Sequence, residues 1–273
     1  MASCGGLPFS GGRPIVAPIR TQQGISVLAQ HVVLNNVDHH DLRLITRHGQ
    51  AFGDSVNQTL IYPSEYEEIQ RHYPIFFRHG EAGFSSVALL GFDREENLFL
   101  DGDRWTVPYV PALHRTSGFL IGQPKAAPGQ ELPAEADVVM LVDPDHARVS
   151  RSEGEPLFLA HGGNSPALDE LVDTLQRVYF GAQASDHMFA AFNEAGLLAP
   201  ISIEVKIDDR QSFLLKDMLT INREALHGLD PVRLGALNAA GFLALAFHVV
   251  SSLGNLNRMI TLKSARTAAT VAA

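Results

Sequence analysis

Residues 241–266 read GFLALAFHVVSSLGNLNRMITLKSAR, and their spacing predicts one helix with two unlike faces. At about 100° per residue, His248, Ser251, Ser252, Asn255 and Arg258 fall on one side. Val249, Leu253, Leu256 and Ile260 fall on the other. The first turns, residues 241–247, are apolar all round, as expected of a helix that enters a core. The polar stripe is then either a buried hydrogen-bond network or part of a site, because buried polar groups find partners.

Working outward, Asp230 before Pro231 is a capping residue followed by a first-turn proline, so the C-terminal helical run is expected to begin there. Residues 201–207 and 213–221 read as strands. Leu168, Leu171, Val172 and Leu175 have helical spacing after Pro166, and a second helix is expected over about residues 185–197. Between residues 74 and 142 lie strand-like segments at 75–77, 86–92, 97–100, 105–110, 118–121 and 138–142. Turn signals such as Asp101-Gly102 separate them, which is the pattern of an antiparallel meander. Ser64, with Glu67 at the capping-box position, is expected to open a short helix that closes before Tyr73-Pro74. The fold class expected is α+β, a central antiparallel β-sheet or partly closed barrel followed by a helical C-terminal half. Residues 1–23, rich in Gly, Pro and Ser, are expected to form an arm, with residues 24–273 as one domain.

The bulk composition narrows the function. Of 273 residues, 45% are hydrophobic and 19% charged, enough apolar material for a sizeable core. Lys plus Arg number 21 against 30 for Asp plus Glu, a net charge of −9 with no basic run, so nucleic acid is not an expected partner. The longest apolar run, residues 239–247, is about half of the ~20 residues that cross a bilayer, so no membrane span is expected. The first residues lack the basic start and apolar run of a secretory signal, and cytoplasmic localisation is the expectation. Cys4 is the sole cysteine, which leaves no internal disulfide and no cysteine-rich metal site.

A series of segments carries a family likeness: His39-His40-Asp41-Leu42-Arg43-Leu44, Ala51-Phe52 with Asn57, Tyr73-Pro74-Ile75-Phe76-Phe77, and Ala88-Leu89-Leu90-Gly91-Phe92. Glu96-Asn97-Leu98-Phe99, the run 105–112, the run 153–158 and the C-terminal His248, Ser252, Asn255 and Arg258 complete it. In order and spacing they resemble the SapC family of bacterial proteins over roughly residues 25–266. One segment departs. His114-Arg115-Thr116-Ser117-Gly118-Phe119 stands where the family more usually carries paired arginines, so no role of that pair is carried over. The resemblance implies no established reaction. It implies an accessory role beside TonB-dependent receptors or flavin-dependent halogenase-like proteins.

Among candidate chemistries, His39 and Asp41 are two apart and would share one face of a strand, as in the His-x-carboxylate pair of a non-haem iron site. His248 would be the third ligand, with Arg258 ten residues on as a cosubstrate arginine. Ten helical residues span about 15 Å, far for one small cosubstrate. The alternative for His39 and Asp41 is a turn or hydrogen-bonding element. Trp105, Val107 and Tyr109 would share a strand face beside Arg115, able to stack a ring or bind an anion, or else to form an ordinary core aromatic group. Gly162-Gly163-Asn164-Ser165 matches no phosphate-binding fingerprint, and Ser165 reads as an N-cap. Asp143, Asp145, Glu153 and Glu155 lack the spacing of a calcium loop. No G-x-S-x-G elbow is present, which disfavours a hydrolase. No motif specifies a cofactor. The reading that follows is an accessory or ligand-binding protein, with a protein partner or small-molecule ligand met by His39, Asp41 and Arg43 and by the stripe carrying His248, Asn255 and Arg258. A metal-dependent enzyme modifying a small molecule or peptide is the alternative.

Overall fold

The computed structural model describes residues 31–122, 139–207 and 211–272, with side chains to residue 269. The expected N-terminal arm lies outside them. In chain order the first elements are β1 (Val32–Val33), β2 (Arg43–Leu44), β3 (Gln58–Ile61) and helix α1 (Tyr66–Ile69). The hairpin of β4 (Ile75–Gly80) and β5 (Gly83–Leu89) follows, then the short pair β6 (Leu100–Asp101) and β7 (Arg104–Trp105), and helix α2 (Ala112–Arg115). Next come β8 (Phe119–Gly122), β9 (Val139–Val142), β10 (Val149–Ser150), β11 (Glu155–Pro156) and the long helix α3 (Pro166–Glu194). Last are the hairpin β12 (Leu198–Lys206) and β13 (Ser212–Ile221), then helices α4 (Arg223–His227), α5 (Pro231–Ala239), α6 (Phe242–Ser252) and α7 (Asn255–Ala272). The class is α+β with antiparallel sheets and a helical C-terminal half, and among the described residues the sheets do not close into a barrel.

The chain divides into two compact units, residues 1–46 with 116–179, and residues 47–115 with 180–273. In the first, two small sheets run in the orders β1-β9-β8 and β10-β2-β11. Leu34, Leu42, Phe119, Val142 and Leu157 form its core with Leu168, Leu171 and Leu175, the helical stripe read from sequence. Ser165 caps α3 as expected, its Oγ accepting the Leu168 amide proton at 3.1 Å.

The second unit is built on a five-stranded sheet in the order β12-β13-β4-β5-β3. Ile75, Phe76 and Phe77 are fully buried on it, with Phe189 and Phe192 of α3 and Val249 of α6 in the same core. The Asp101-Gly102 turn joins β6 to β7, pairing Leu100 with Trp105. The strand expected over residues 105–110 ends at Trp105, because the chain turns into the Pro108 and Pro111 segment, where proline cannot donate to a ladder.

Three helix expectations are corrected. The two helices expected after Pro166 are one continuous α3, and Gly181, which falls between the two expected helices, is a contact position within it. A Cβ there would lie 2.4 Å from Ser64 Oγ and 2.8 Å from Tyr62 Cβ, so glycine admits the close approach. The helix expected from Ser64 begins one residue earlier with a 3-10 turn, Pro63–Glu65, and Glu65 instead of Glu67 reaches back to the Tyr62 amide. The single helix expected over residues 241–266 is two, because the chain breaks at Leu253 and Gly254 between α6 and α7. Asp230 caps α5 as expected, its Oδ1 accepting from the Val232 and Arg233 amides at 2.9 and 3.0 Å. No single helix is long and apolar enough to cross a membrane.

Candidate functional site

The densest buried polar chemistry in the second unit is assembled around Asp54. Residues 48–54 fold back on themselves through a 3-10 turn, Gln50–Phe52, closed by Gly53 in the left-handed region at φ 78°. That turn brings Asp54 Oδ2 within 2.9 Å of the Gly49 amide and 3.1 Å of His48 Nδ1. Helix α2 presents His114 from the other side, its Nδ1 2.9 Å from Asp54 Oδ1. Asn97 Nδ2 donates to the Asp54 carbonyl at 2.9 Å and holds the backbone in place. Asp54 is 0% exposed and His114 6%.

Donors surround this carboxylate. An ionised Asp accepts only, so each imidazole presents Nδ1–H to it and turns Nε2 outward from the pair. His114 Nε2 is buried and has no hydrogen-bond partner. It accepts in the neutral ring and donates in the protonated one, and buried groups of this kind are normally satisfied by a protein atom, a water or a ligand.

Trp105 packs between the two imidazoles, 5.3 Å from the His48 ring and 5.2 Å from the His114 ring. Its Nε1 donates to Tyr73 Oη at 2.6 Å, and Tyr73 Oη donates to the Tyr109 carbonyl at 2.5 Å. Burial pushes the Tyr73 phenol well above its usual range, so it stays a donor. Tyr109 Oη donates in turn to Glu65 Oε1 at 2.9 Å, which also accepts the Ala112 amide at 2.7 Å. Burial raises the Glu65 carboxyl above the ordinary range, outweighing those donors and the Arg115 charge. Trp105, Tyr109 and Arg115, singled out from sequence, therefore converge with Glu65, Tyr73, His48 and His114 on one network.

The other sequence candidates are placed elsewhere. His39, in the first unit, accepts the Asn35 amide on Nδ1 at 3.1 Å within a turn. Asp41 pairs with Arg151, which holds its carboxyl below the usual range. Arg43 Nη1 donates to the Gly154 carbonyl at 3.0 Å. In the second unit, Asn255 Nδ2 and Ser251 Oγ bond Gln70 at 2.8 and 2.9 Å, and Ser252 Oγ accepts the Ile75 amide at 2.9 Å. These stripe members fasten the end of α1 and the start of β4 to the C-terminal helices. His248 is half-buried, and Arg258 is exposed with its guanidinium carbon 6.0 Å from the centre of the Phe99 ring. His39 and Asp41 are in one unit and His248 in the other. Among the described residues no group of three or more His, Cys, Asp or Glu side chains is placed to hold a metal ion.

A comparison with family models matches SapC over residues 34–259, most of the chain. The chain belongs to the SapC family. The matched span contains every residue of the Asp54 network, from His48 to His114, and all of α5 and α6 of this SapC chain. Comparisons with curated proteins and with solved structures gave no significant match. Sequence reasoning had not selected His48, Asp54 or Glu65 in this SapC protein, since a turn aspartate and isolated histidines carry no local signature. The one available signal was the departure from the SapC pattern at residues 114–119, which marks His114.

Proposed function

We propose that this SapC protein is a cytoplasmic, non-catalytic accessory protein that binds a small ligand at the Asp54 centre. The observation that carries the reading is the buried, unpartnered Nε2 of His114, held in orientation by Asp54 and walled by Trp105. Such a centre offers one directed polar contact beside an aromatic ring, the mix of few placed polar groups and apolar wall that small-molecule sites use. Service to a TonB-dependent uptake or halogenase-associated system is part of the proposal, supported by the family resemblance.

The test is ligand capture from the host. The purified protein is incubated with the host's small-molecule extract, desalted and denatured, and the released compounds are identified by mass spectrometry. His114→Asn is the control, since the shorter amide can still donate to Asp54 while Nε2 is removed. A compound retained by the wild type and lost from a folded variant supports the reading. Equal retention, or none by either, overturns it.

A metal-dependent enzyme is the second reading. It is favoured by the same orientation, because imidazoles that ligate metals commonly donate their other N–H to a carboxylate. Zinc or iron bound stoichiometrically by the wild type and lost in His114→Asn would favour it over the accessory role.

A further inference from the structure

The histidines at Asp54 donate through Nδ1, whereas His146 in the first unit uses the same atom the other way round. Its Nδ1 accepts the Arg148 backbone N–H at 3.2 Å, which an imidazole can do only while that nitrogen carries no proton. The ring is half-buried and packed on Gly118, where a Cβ would lie 2.7 Å from Nδ1 and 2.8 Å from Cγ. Gly118 stands at φ 88°, so both its own conformation and the close approach of the ring require glycine.

This bond lies where the two small sheets of the first unit are joined. The turn from β9 to β10 is closed by the His146 amide donating to the Asp143 carbonyl at 3.2 Å and the Val149 amide donating to the His146 carbonyl at 2.8 Å. Before the turn, the Asp143 amide donates to the Gly118 carbonyl at 2.8 Å and continues the pairing of β9 with β8. After it, the Arg148 carbonyl accepts the Ile45 amide at 2.9 Å, and Val149 pairs with Leu44 of β2. His146 therefore fastens the residue from which β10 takes its place beside β2.

Three titratable or charged side chains act on the ring. Asp143 comes from the same turn and Arg148 from the start of β10. His31 comes from the residue before β1, one position beyond the Val32–Val142 pair, and its Nδ1 is buried without a hydrogen-bond partner. The β8 side contributes the Gly118 backbone alone. Burial lowers the His146 imidazole below its usual range against the pull of the Asp143 carboxylate, and Arg148 and His31 add to the lowering.

We infer that His146 is a pH latch on the first unit. The neutral ring holds the β9–β10 turn closed through the Arg148 amide, and the protonated ring releases that amide and turns its new Nδ1–H to the Asp143 carboxylate, which unfastens β10 from β2. An imidazolium has no acceptor left, so the Arg148 N–H loses its partner at the step in which a second cation is placed beside Arg148 and His31. Because the folded value lies below the ordinary 6.5, the stability due to the latch is fully present above about pH 6.5 and is lost as pH falls through the lowered value.

Backbone amide exchange of the full-length protein, followed by NMR at about pH 7.5 and about pH 5 and corrected for the intrinsic rate at each pH, tests this. The wild type is expected to lose about tenfold in protection at the Arg148 and Val149 amides at the lower pH, while Phe76 and Phe77 in the second unit keep theirs. His146→Asn sets an oxygen acceptor where Nδ1 stood and does not titrate, so it is expected to keep its protection at both pH values. Unchanged protection in the wild type, an equal loss in the variant, or a loss shared by Phe76 and Phe77 overturns the proposal. The ring nitrogens of the wild type give a check that needs no variant. Nδ1 of His146 is expected to be bare at about pH 7.5, and a proton found on it there overturns the latch.

Discussion

His114 Nδ1 and Asp54 Oδ1 meet at 2.9 Å although 60 residues separate them in the chain. The bond joins helix α2 to the turn at residues 48–54, and it leaves the far nitrogen of the ring without a partner. Removing the carboxylate would strand two imidazole N–H groups and the Gly49 amide. Asp54→Ala is therefore expected to destabilise the protein by about 3–5 kcal/mol, and His114→Asn by about 1–2 kcal/mol. Urea melts of both variants check the order.

The Glu65 carboxyl gives a pH prediction with a definite sign. Its folded value is raised above the ordinary 4.5, chiefly by burial, so the native state holds its proton more tightly than the unfolded chain. The associated stability is fully present below about pH 4.5 and is lost as pH rises through the raised value. Glu65→Gln removes that dependence. The difference in unfolding free energy, wild type minus variant, is expected to fall across this window and then level off, as measured by denaturant titration at a series of pH values.

Much of the scaffold could be read from local pattern. The buried run Ile75-Phe76-Phe77, the Asp101-Gly102 turn and the caps at Ser165 and Asp230 all sit where residue type and spacing indicated. What escaped depends on distant contacts. Local spacing indicates a gap between two helices where α3 runs on unbroken with Gly181 against Tyr62 and Ser64, and the polar stripe of α6 and α7 reads either as a buried network or as a site until Gln70 and Ile75 are seen to take up its bonds. Asp54 was hidden for the same reason, since its partners come from a turn and from a helix 60 residues away.

The Gly181 contact makes a substitution that helps the helix locally harm the fold. Alanine is favoured over glycine in a helix by up to about 1 kcal/mol. The added Cβ would collide with Ser64 Oγ and Tyr62 Cβ, and such overpacking costs about 1–3 kcal/mol. Gly181→Ala is expected to lower the melting temperature, as read by circular dichroism.

Along the stripe, the structure separates fastening residues from exposed ones. Ser252→Ala would leave the buried Ile75 amide unsatisfied and is expected to cost about 1–3 kcal/mol. Arg258→Ala, at an exposed guanidinium near Phe99, is expected to cost at most about 1 kcal/mol. A chemical denaturation series on the two variants checks this, and equal losses would argue against the assignment.

The most direct test of the ligand centre is a long-range ¹H–¹⁵N correlation spectrum of the histidine rings, recorded before and after addition of the host small-molecule extract. The account predicts that His114 carries hydrogen on Nδ1 throughout and that its Nε2 resonance moves when the extract is added, while those of His39 and His248 stay in place. A bare Nδ1, or an Nε2 resonance that does not move at saturating extract, would contradict it.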